Sequence, residues 1–228
     1  YYMDWEDYQL ELTDPSRVAC PDGGPDEIDG VCGQPWQTVV ANAGEASITG
    51  VEAELDWAIT SNLLFGMNMT WLDAQNGTDV DTDGSGTPNV SDGDRLPVSP
   101  EWAGSAWAQY NWDISRINGG GFARLQWSYT GDSVSNLEPN TPATHPGNPQ
   151  FKNESYNIGD FHIGISGPTW ETSLFVTNLT DERAHYNHSW GIYEAGQGSA
   201  QDDRAFVDRL YTSRPREVGF RVIKRWGG

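Results

Sequence analysis

The residues that could do chemistry fall into a few short groups. Asp79-Val80-Asp81-Thr82-Asp83-Gly84 places three carboxylates at alternate positions ahead of a glycine. Carboxylates so spaced can converge on one hard cation, and the glycine allows the sharp turn. An EF-hand would need a glutamate at the twelfth position, where this chain has Val90, so the EF-hand reading fails. Asp92 and Asp94 stand near enough to add oxygens, so calcium is the candidate metal for this loop, and a merely solvated acidic loop is the competing reading; no cofactor is required. His185 and His188 are three residues apart, a spacing that can bind metal, but ordinary loop histidines explain them as well. No Ser, Cys or Asp stands at a spacing that would make a nucleophilic site with them, so an enzyme is not expected. Tyr186, Trp190, Tyr193, Phe206 and Arg204 share one polar stretch, and aromatics with an arginine suit recognition of a sugar, peptide or chelate. Packing of that stretch on itself is the competing reading.

The elements that must position these groups read as strands. Val51, Ala53, Leu55, Trp57 and Ile59 alternate with Glu52, Glu54 and Asp56. Leu63, Phe65, Met67, Met69 and Trp71 share one face of the next segment, and Trp102, Ala106, Ala108, Tyr110 and Trp112 one face of another. Leu125, Trp127 and Tyr129 alternate with Arg124, Gln126 and Ser128, as do Phe161, Ile163 and Ile165 with Asp160 and His162. Val218, Phe220 and Val222 alternate with Glu217 and Arg221. Period-two patterning of this kind means strands with one apolar and one polar face. Eight are expected, at about 1–12, 37–59, 62–74, 99–114, 121–131, 154–166, 169–182 and 214–226. Short turns at 59–62, 115–120 and 166–169 alternate with long polar loops at about 13–36, 75–98, 132–153 and 184–213.

Composition narrows the class. The 228 residues carry 33 acidic and 13 basic side chains, a formal net charge of −20. That excludes a nucleic-acid partner, since a polyanion needs a basic face. Mean hydropathy is −0.61, and no apolar run reaches the roughly 20 residues of a spanning helix. Yet 11 Trp, 9 Tyr and 26 Gly on a polar average fit a membrane β-barrel, where only every second strand residue meets lipid. A soluble β-sandwich also alternates, but its strands are shorter and it would bury its tryptophans centrally. Here Trp57, Trp71, Trp102, Trp112 and Trp170 fall near strand ends, as interfacial girdles require. The acidic row Glu52, Glu54 and Asp56 then reads as a solvated lumen wall rather than acid–base machinery. The chain opens on Tyr1-Tyr2-Met3 in what reads as mid-strand, with no signal peptide, so it is expected to be part of a longer protein or a trimmed mature chain.

Four pieces carry a family resemblance. They are Asn42-Ala43-Gly44-Glu45-Ala46-Ser47-Ile48-Thr49-Gly50-Val51-Glu52-Ala53-Glu54-Leu55, Asp94-Arg95-Leu96-Pro97-Val98-Ser99-Pro100-Glu101-Trp102, Trp170 through Asn178-Leu179-Thr180-Asp181-Glu182, and Arg214-Pro215-Arg216-Glu217-Val218-Gly219-Phe220-Arg221-Val222. In that order they resemble the β-barrel of TonB-dependent outer-membrane receptors. The resemblance implies an all-β, antiparallel transmembrane barrel of 22 strands, of which this chain would supply about eight C-terminal ones. The N-terminal plug, its TonB-binding segment and the earlier strands would lie outside residues 1–228. It further implies uptake of a scarce nutrient (a siderophore, vitamin, metal chelate or carbohydrate) across the bacterial outer membrane, with TonB, lipid and a small ligand as partners. A self-contained eight-stranded barrel with an adhesin or structural role is the alternative. Outer loops would then carry the ligand candidates Tyr186, Trp190, Tyr193 and Arg204 and the calcium candidates Asp79, Asp81 and Asp83. Cys20 and Cys32, the only cysteines, would flank an outer loop tip in an oxidising medium and are expected to form a disulfide. Lys224 stands on the lipid side where the family usually has an aromatic; near the interface a lysine costs only about 0–1 kcal/mol and can snorkel.

Overall fold

The computed structural model describes residues 1–13, 38–42, 44–81, 86–137, 150–194 and 204–226. Fourteen strands occur among them, numbered in chain order. Eight form one sheet: β1 (Tyr2–Trp5), β4 (Ala46–Ala58), β5 (Leu63–Asn76), β6 (Trp102–Ile114), β7 (Gly119–Thr130), β10 (Tyr156–Gly167), β11 (Trp170–Thr177) and β14 (Glu217–Lys224). They stand in that spatial order, every pair antiparallel, with β1 and β14 as the two edges.

The short connections are as expected, and local hydrogen bonds make them. At the first, Thr60 Oγ1 accepts from the backbone N–H of Leu63 at 3.0 Å and of Asn62 at 3.2 Å, while Asn62 Nδ2 donates to the Asn111 carbonyl at 2.8 Å. The second ends on Asn118, whose φ of 48° is a left-handed conformation that asparagine tolerates.

Two expected strands are interrupted. The stretch 1–12 splits into β1 and β2 (Gln9–Thr13), and 37–59 splits into β3 (Thr38–Asn42) and β4. β2 and β3 pair as a ribbon beyond the sheet edge. The break falls where Asp7 has a positive φ and Tyr8 turns its hydroxyl onto Asn76, 2.8 Å away. Two other long connections are likewise partly ribbons rather than loops: β8 (Ser133–Val134) with β9 (Lys152–Asn153), and β12 (His185–Glu194) with β13 (Arg204–Thr212). Their sequences, His185–Glu194 and Arg204–Thr212 among them, lack the strict period-two alternation that marks the strands of the main sheet.

Register resolves the two faces. Residues opposite each other in antiparallel strands share a face. One row runs Trp57, Phe65, Ala108, Leu125, Phe161, Val176, Val218. The parallel row on the other face runs Asp56, Gly66, Trp107, Gln126, Asp160. Every apolar residue expected to point outward falls on the first face: Val51, Leu55, Leu63, Phe65, Met69, Tyr110, Leu125, Phe161, Ile163, Phe220 and Val222. Glu52, Glu54, Asp56, Asn68, Gln109, Arg124, Gln126, Asp160 and Arg221 fall on the second. Among the described residues nothing packs over the apolar face: Val51, Phe220 and Val222 are 58%, 64% and 63% exposed. A sandwich would bury this face between two sheets. The one cluster of buried apolar side chains described, Val80, Val90 and Leu137 with Tyr8 and Leu96 against it, lies off the sheet in the outer connections.

Candidate functional site

The polar face is the wall that a solute or a partner domain would meet. It is less uniformly polar than the alternation suggests. Trp107, Phe122 and Phe175 stand on it, each directly opposite a glycine: Gly66, Gly164 and Gly219. A Cβ on those glycines would come within 2.4, 2.7 and 2.0 Å of the facing ring. The rings therefore lie flat across the neighbouring strand and cover its bare backbone. Apolar area is buried against the sheet without filling the space in front of it. The same device recurs on the other face with Trp112 over Gly121 and Trp127 over Gly159. The signal was present in the sequence as glycines within strands, but only register shows which aromatic covers each.

Two cationic or titratable side chains rest on these flat rings. The Arg124 guanidinium lies 4.2 Å from the centre of the Trp107 ring, and the His162 ring stacks on Phe175 at 5.9 Å and 22°. Arg124 and His162 are opposite each other in register. Asn68 Nδ2 donates to Ser105 Oγ at 3.1 Å beside Glu54. Near the short turns a recess of about 500 Å³ is lined by Ser61, Asn62, Gln109, Asn111, Asp113 and Phe122 among others. Such a surface can hold water and exchange hydrogen bonds.

At the outer end the connections are tied down by buried polar hubs. Asn76, 1% exposed, accepts from the Tyr8 hydroxyl and donates through Nδ2 to the carbonyls of Thr78 and Ser91. Arg95 donates to Asp132 Oδ2 at 3.1 Å, the Asp132 carbonyl at 2.9 Å and the Ser99 carbonyl at 3.2 Å, which pins the 77–98 connection to the end of β7. Asn178 is the third hub. Its Nδ2 donates to the carbonyls of Glu182 (2.9 Å) and Arg214 (2.8 Å), its Oδ1 accepts from Glu182 N–H (2.8 Å), and its own N–H donates to Asp160 Oδ1 (2.9 Å). Its φ of 52° makes the corner. Next to it Asp181 Oδ1 accepts from Arg216 N–H at 2.8 Å; that bond, with Arg183 and Arg216 nearby, holds the carboxyl below the usual carboxylate range. Three of the four resembling pieces thus contain a corner or its partner. Arg95 and Asn178 belong to the resembling segments, but their roles as hubs, and that of Asn76, depend on contacts that no local pattern in the sequence marks.

These corners place the ligand candidates. Tyr186 lies at the base of the β12–β13 ribbon and meets Tyr156 edge-on, ring centres 5.4 Å apart. Partial burial, then Tyr156, raises its hydroxyl above the ordinary tyrosine value. Trp190 pairs with Asp208 in register, Tyr193 with Ala205, and Arg204 with Glu194. The seven steps from Tyr186 to Tyr193 span about 23 Å of strand at ~3.3 Å each. In register Tyr186 therefore stands at one end of the β12–β13 ribbon, with Tyr193 and Arg204 at the other.

Of the calcium candidates, Asp79 Oδ1 accepts from Asp92 N–H at 3.0 Å and Asp81 Oδ2 from Gly86 N–H at 2.7 Å; Asp83 lies outside the described residues. Among the described residues no three His, Cys, Asp or Glu side chains gather as a metal site. Cys20 and Cys32 also lie outside the described residues.

Comparison with known proteins agrees with this geometry. Residues 1–179 match the model of the family described as TonB dependent receptor-like, beta-barrel. The ferric yersiniabactin uptake receptor FyuA from Yersinia pestis has a similar fold, at 19% identity and TM-score 0.55, over 82% of this chain and 25% of that one. The siderophore receptor PiuA from Acinetobacter baumannii matches at 17% identity and TM-score 0.56, over 82% and 22%. BauA, the ferric preacinetobactin receptor of the same organism, matches at 13% identity and TM-score 0.54, over 97% and 26%. The chain thus spans about a quarter of the length of these receptors. None of the curated proteins compared matches it significantly. With an exposed apolar face, a polar opposite face, all-antiparallel neighbour pairing and a family match over most of its length, the chain belongs to the TonB-dependent receptor β-barrel family of the bacterial outer membrane.

Proposed function

We propose that this chain is the C-terminal part of the barrel of an active importer, not an enzyme, that takes up a scarce nutrient, a siderophore first among the candidates. The observation that carries the reading is the pair of faces: an apolar face open to lipid and a hydrated, charged face opposite it. A plug held on such a wall by hydrogen bonds and water can be moved by TonB, whereas one embedded in an apolar core could not. The ribbon bearing Tyr186, Trp190, Tyr193 and Arg204 and the tied 77–98 connection would make first contact with the ligand outside the cell. The siderophore receptors among the structural neighbours support that ligand class. Cys20–Cys32 as a disulfide and Asp79, Asp81 and Asp83 as calcium ligands belong to the same proposal for the outer connections.

The test is uptake by the full-length protein in an iron-starved host that lacks its own receptors. Accumulation of a labelled ferric siderophore that stops when TonB is deleted supports the reading. Accumulation that persists without TonB, or fails for every siderophore, vitamin chelate and oligosaccharide tried, overturns it. The self-contained eight-stranded barrel makes a different demand: β1 must hydrogen-bond to β14, and here these are the two edges of the sheet. Cysteines placed in facing positions of β1 and β14 would cross-link within one chain only in that small barrel.

A further inference from the structure

The apolar face carries a single charge over the half of the sheet that adjoins the short turns. Its outward positions there are Val51 to Trp57, Leu63 to Trp71, Trp102 to Trp112, Gly121 to Tyr129, Asn157 to Ile165, Trp170 to Val176 and Val218 to Lys224, taken two by two. Among these, Lys224 is the only ionised side chain; Asp4 and Asp73 share the face farther along, toward the long connections. It stands at the last strand position before the chain leaves the sheet, opposite Trp170 at the short-turn rim. In the orientation of this family that rim faces the periplasm.

The lysine is positioned, and its charge is not cancelled. Nζ donates to Thr169 Oγ1 at 2.9 Å, so the ammonium is turned along the rim and not upward into the apolar band. Trp226 brings its ring centre to 5.7 Å from Nζ. Trp170 leans the other way, over Gly167 of β10, and leaves Lys224 uncovered on that side. The carboxylate nearest in the ladder, Glu171, is 3.5 Å from the neighbouring Arg225. Among the described residues Lys224 makes no ion pair. An ammonium has three donors, and Thr169 uses one. A cation without an ion pair, beside Trp226 and at the level where acyl chains give way to headgroups, has a chemical complement on the lipid side in a phosphate diester.

We propose that Lys224, with Thr169 and Trp226, forms a binding site for the headgroup phosphate of an anionic phospholipid in the periplasmic leaflet. The acyl chains would lie along the exposed Val222, Phe220 and Leu174, which share the face above it. The proposal uses the membrane orientation of the family and does not depend on which nutrient is carried.

The test is native mass spectrometry of the full-length protein in detergent, titrated with phosphatidylglycerol and separately with phosphatidylethanolamine. The expected result is retained phosphatidylglycerol on the wild type, about fivefold weaker retention on Lys224→Gln, and recovery on Lys224→Arg. Thr169→Val keeps the charge and loses its anchor, and an intermediate loss is expected. Equal retention by wild type and Lys224→Gln overturns the proposal. Displacement of the lipid by inorganic phosphate at equal concentration also overturns it, since the site would then read phosphate without lipid. Should Lys224→Gln fail to reach the membrane, Thr169→Val against wild type decides alone, and equal retention there overturns the proposal. Siderophore uptake by a folded Lys224→Gln protein reports on the transport reading separately.

Discussion

The membrane band of the sheet and its outer rim reach stability by opposite means. In the band, β4 to β11 are joined by long uninterrupted ladders, and side chains on the apolar face stay exposed. Trp102 and Trp112 are ten residues apart in β6, about 33 Å of strand, or about 25 Å across a membrane at a tilt near 40°, which matches the apolar band of an outer-membrane barrel. Backbone hydrogen bonds hold the band, and lipid stands where a core would be. At the rim a small buried cluster, Val80, Val90 and Leu137, is joined by Asn76, Arg95 and Asn178, each binding several backbone groups at once. The band tolerates many side chains provided each keeps its face; the rim depends on a few polar atoms whose positions have no substitutes.

The largest effect should come from placing a charge on the wrong face of the band. Leu125→Arg at mid-strand is expected to cost about 2–4 kcal/mol of folding stability in lipid. Gln126→Arg, one residue along and on the other face, should cost less than about 1 kcal/mol. Urea titration of the protein in vesicles measures both, and equal costs would mean that the faces are misassigned. A disulfide between Cys20 and Cys32 closes a short loop worth about 3 kcal/mol in the chain-entropy model. Alkylation before and after reduction counts the free thiols, and modification of both without reduction would exclude the bond.

Asn178→Ala leaves the carbonyls of Glu182 and Arg214 and the N–H of Glu182 without their partners, at about 1–3 kcal/mol. The loss should concentrate at the rim: hydrogen exchange in 185–212 is expected to accelerate while β6 and β7 keep their protection. Uniform acceleration would contradict the separation of band and rim. A calcium ion on Asp79, Asp81 and Asp83, bound as weakly as extracellular sites usually are, would add about 0.4–1.4 kcal/mol at 1 mM. Calorimetry with and without chelator reads it, and Asp83→Asn should abolish the difference.

The smallest effect is a pH dependence at the corner beside Asn178. The Asp181 carboxyl is held below its ordinary value, first by the Arg216 N–H. A depressed carboxyl stabilises the folded state above its unfolded value, and that contribution disappears as pH falls through the folded one. Protection of Arg216 N–H should therefore decline as pH drops below about 4, the ordinary aspartate range. Asp181→Asn should remove this dependence and leave that of the band unchanged.

Much of the band was legible from sequence because lipid leaves one rule in force: every second residue must be apolar for as long as the strand is in the membrane. Leu63, Phe65, Met67, Met69 and Trp71 obey it, and so do their partners in β6 and β7. The ribbons β8–β9 and β12–β13 read as loops because outside the membrane neither face need alternate strictly. The breaks within 1–12 and 37–59 were invisible for a related reason. They are made by Asp7 and by the Tyr8–Asn76 bond, 68 residues apart in sequence.

Residue order alone determined the long strands of the main sheet, their faces and the family, since alternation and turn length are local properties. Tertiary structure decided the rest. It paired Trp107 with Gly66 and Phe175 with Gly219, because which ring covers which bare backbone depends on register across strands. It made Asn76, Arg95 and Asn178 into hubs, because a polar side chain becomes a hub only where the fold removes water and brings several carbonyls within reach. It turned Lys224 toward Thr169 and gave Glu171 to Arg225, leaving one cation at the lipid rim, an arrangement of distances that no spacing in the chain records.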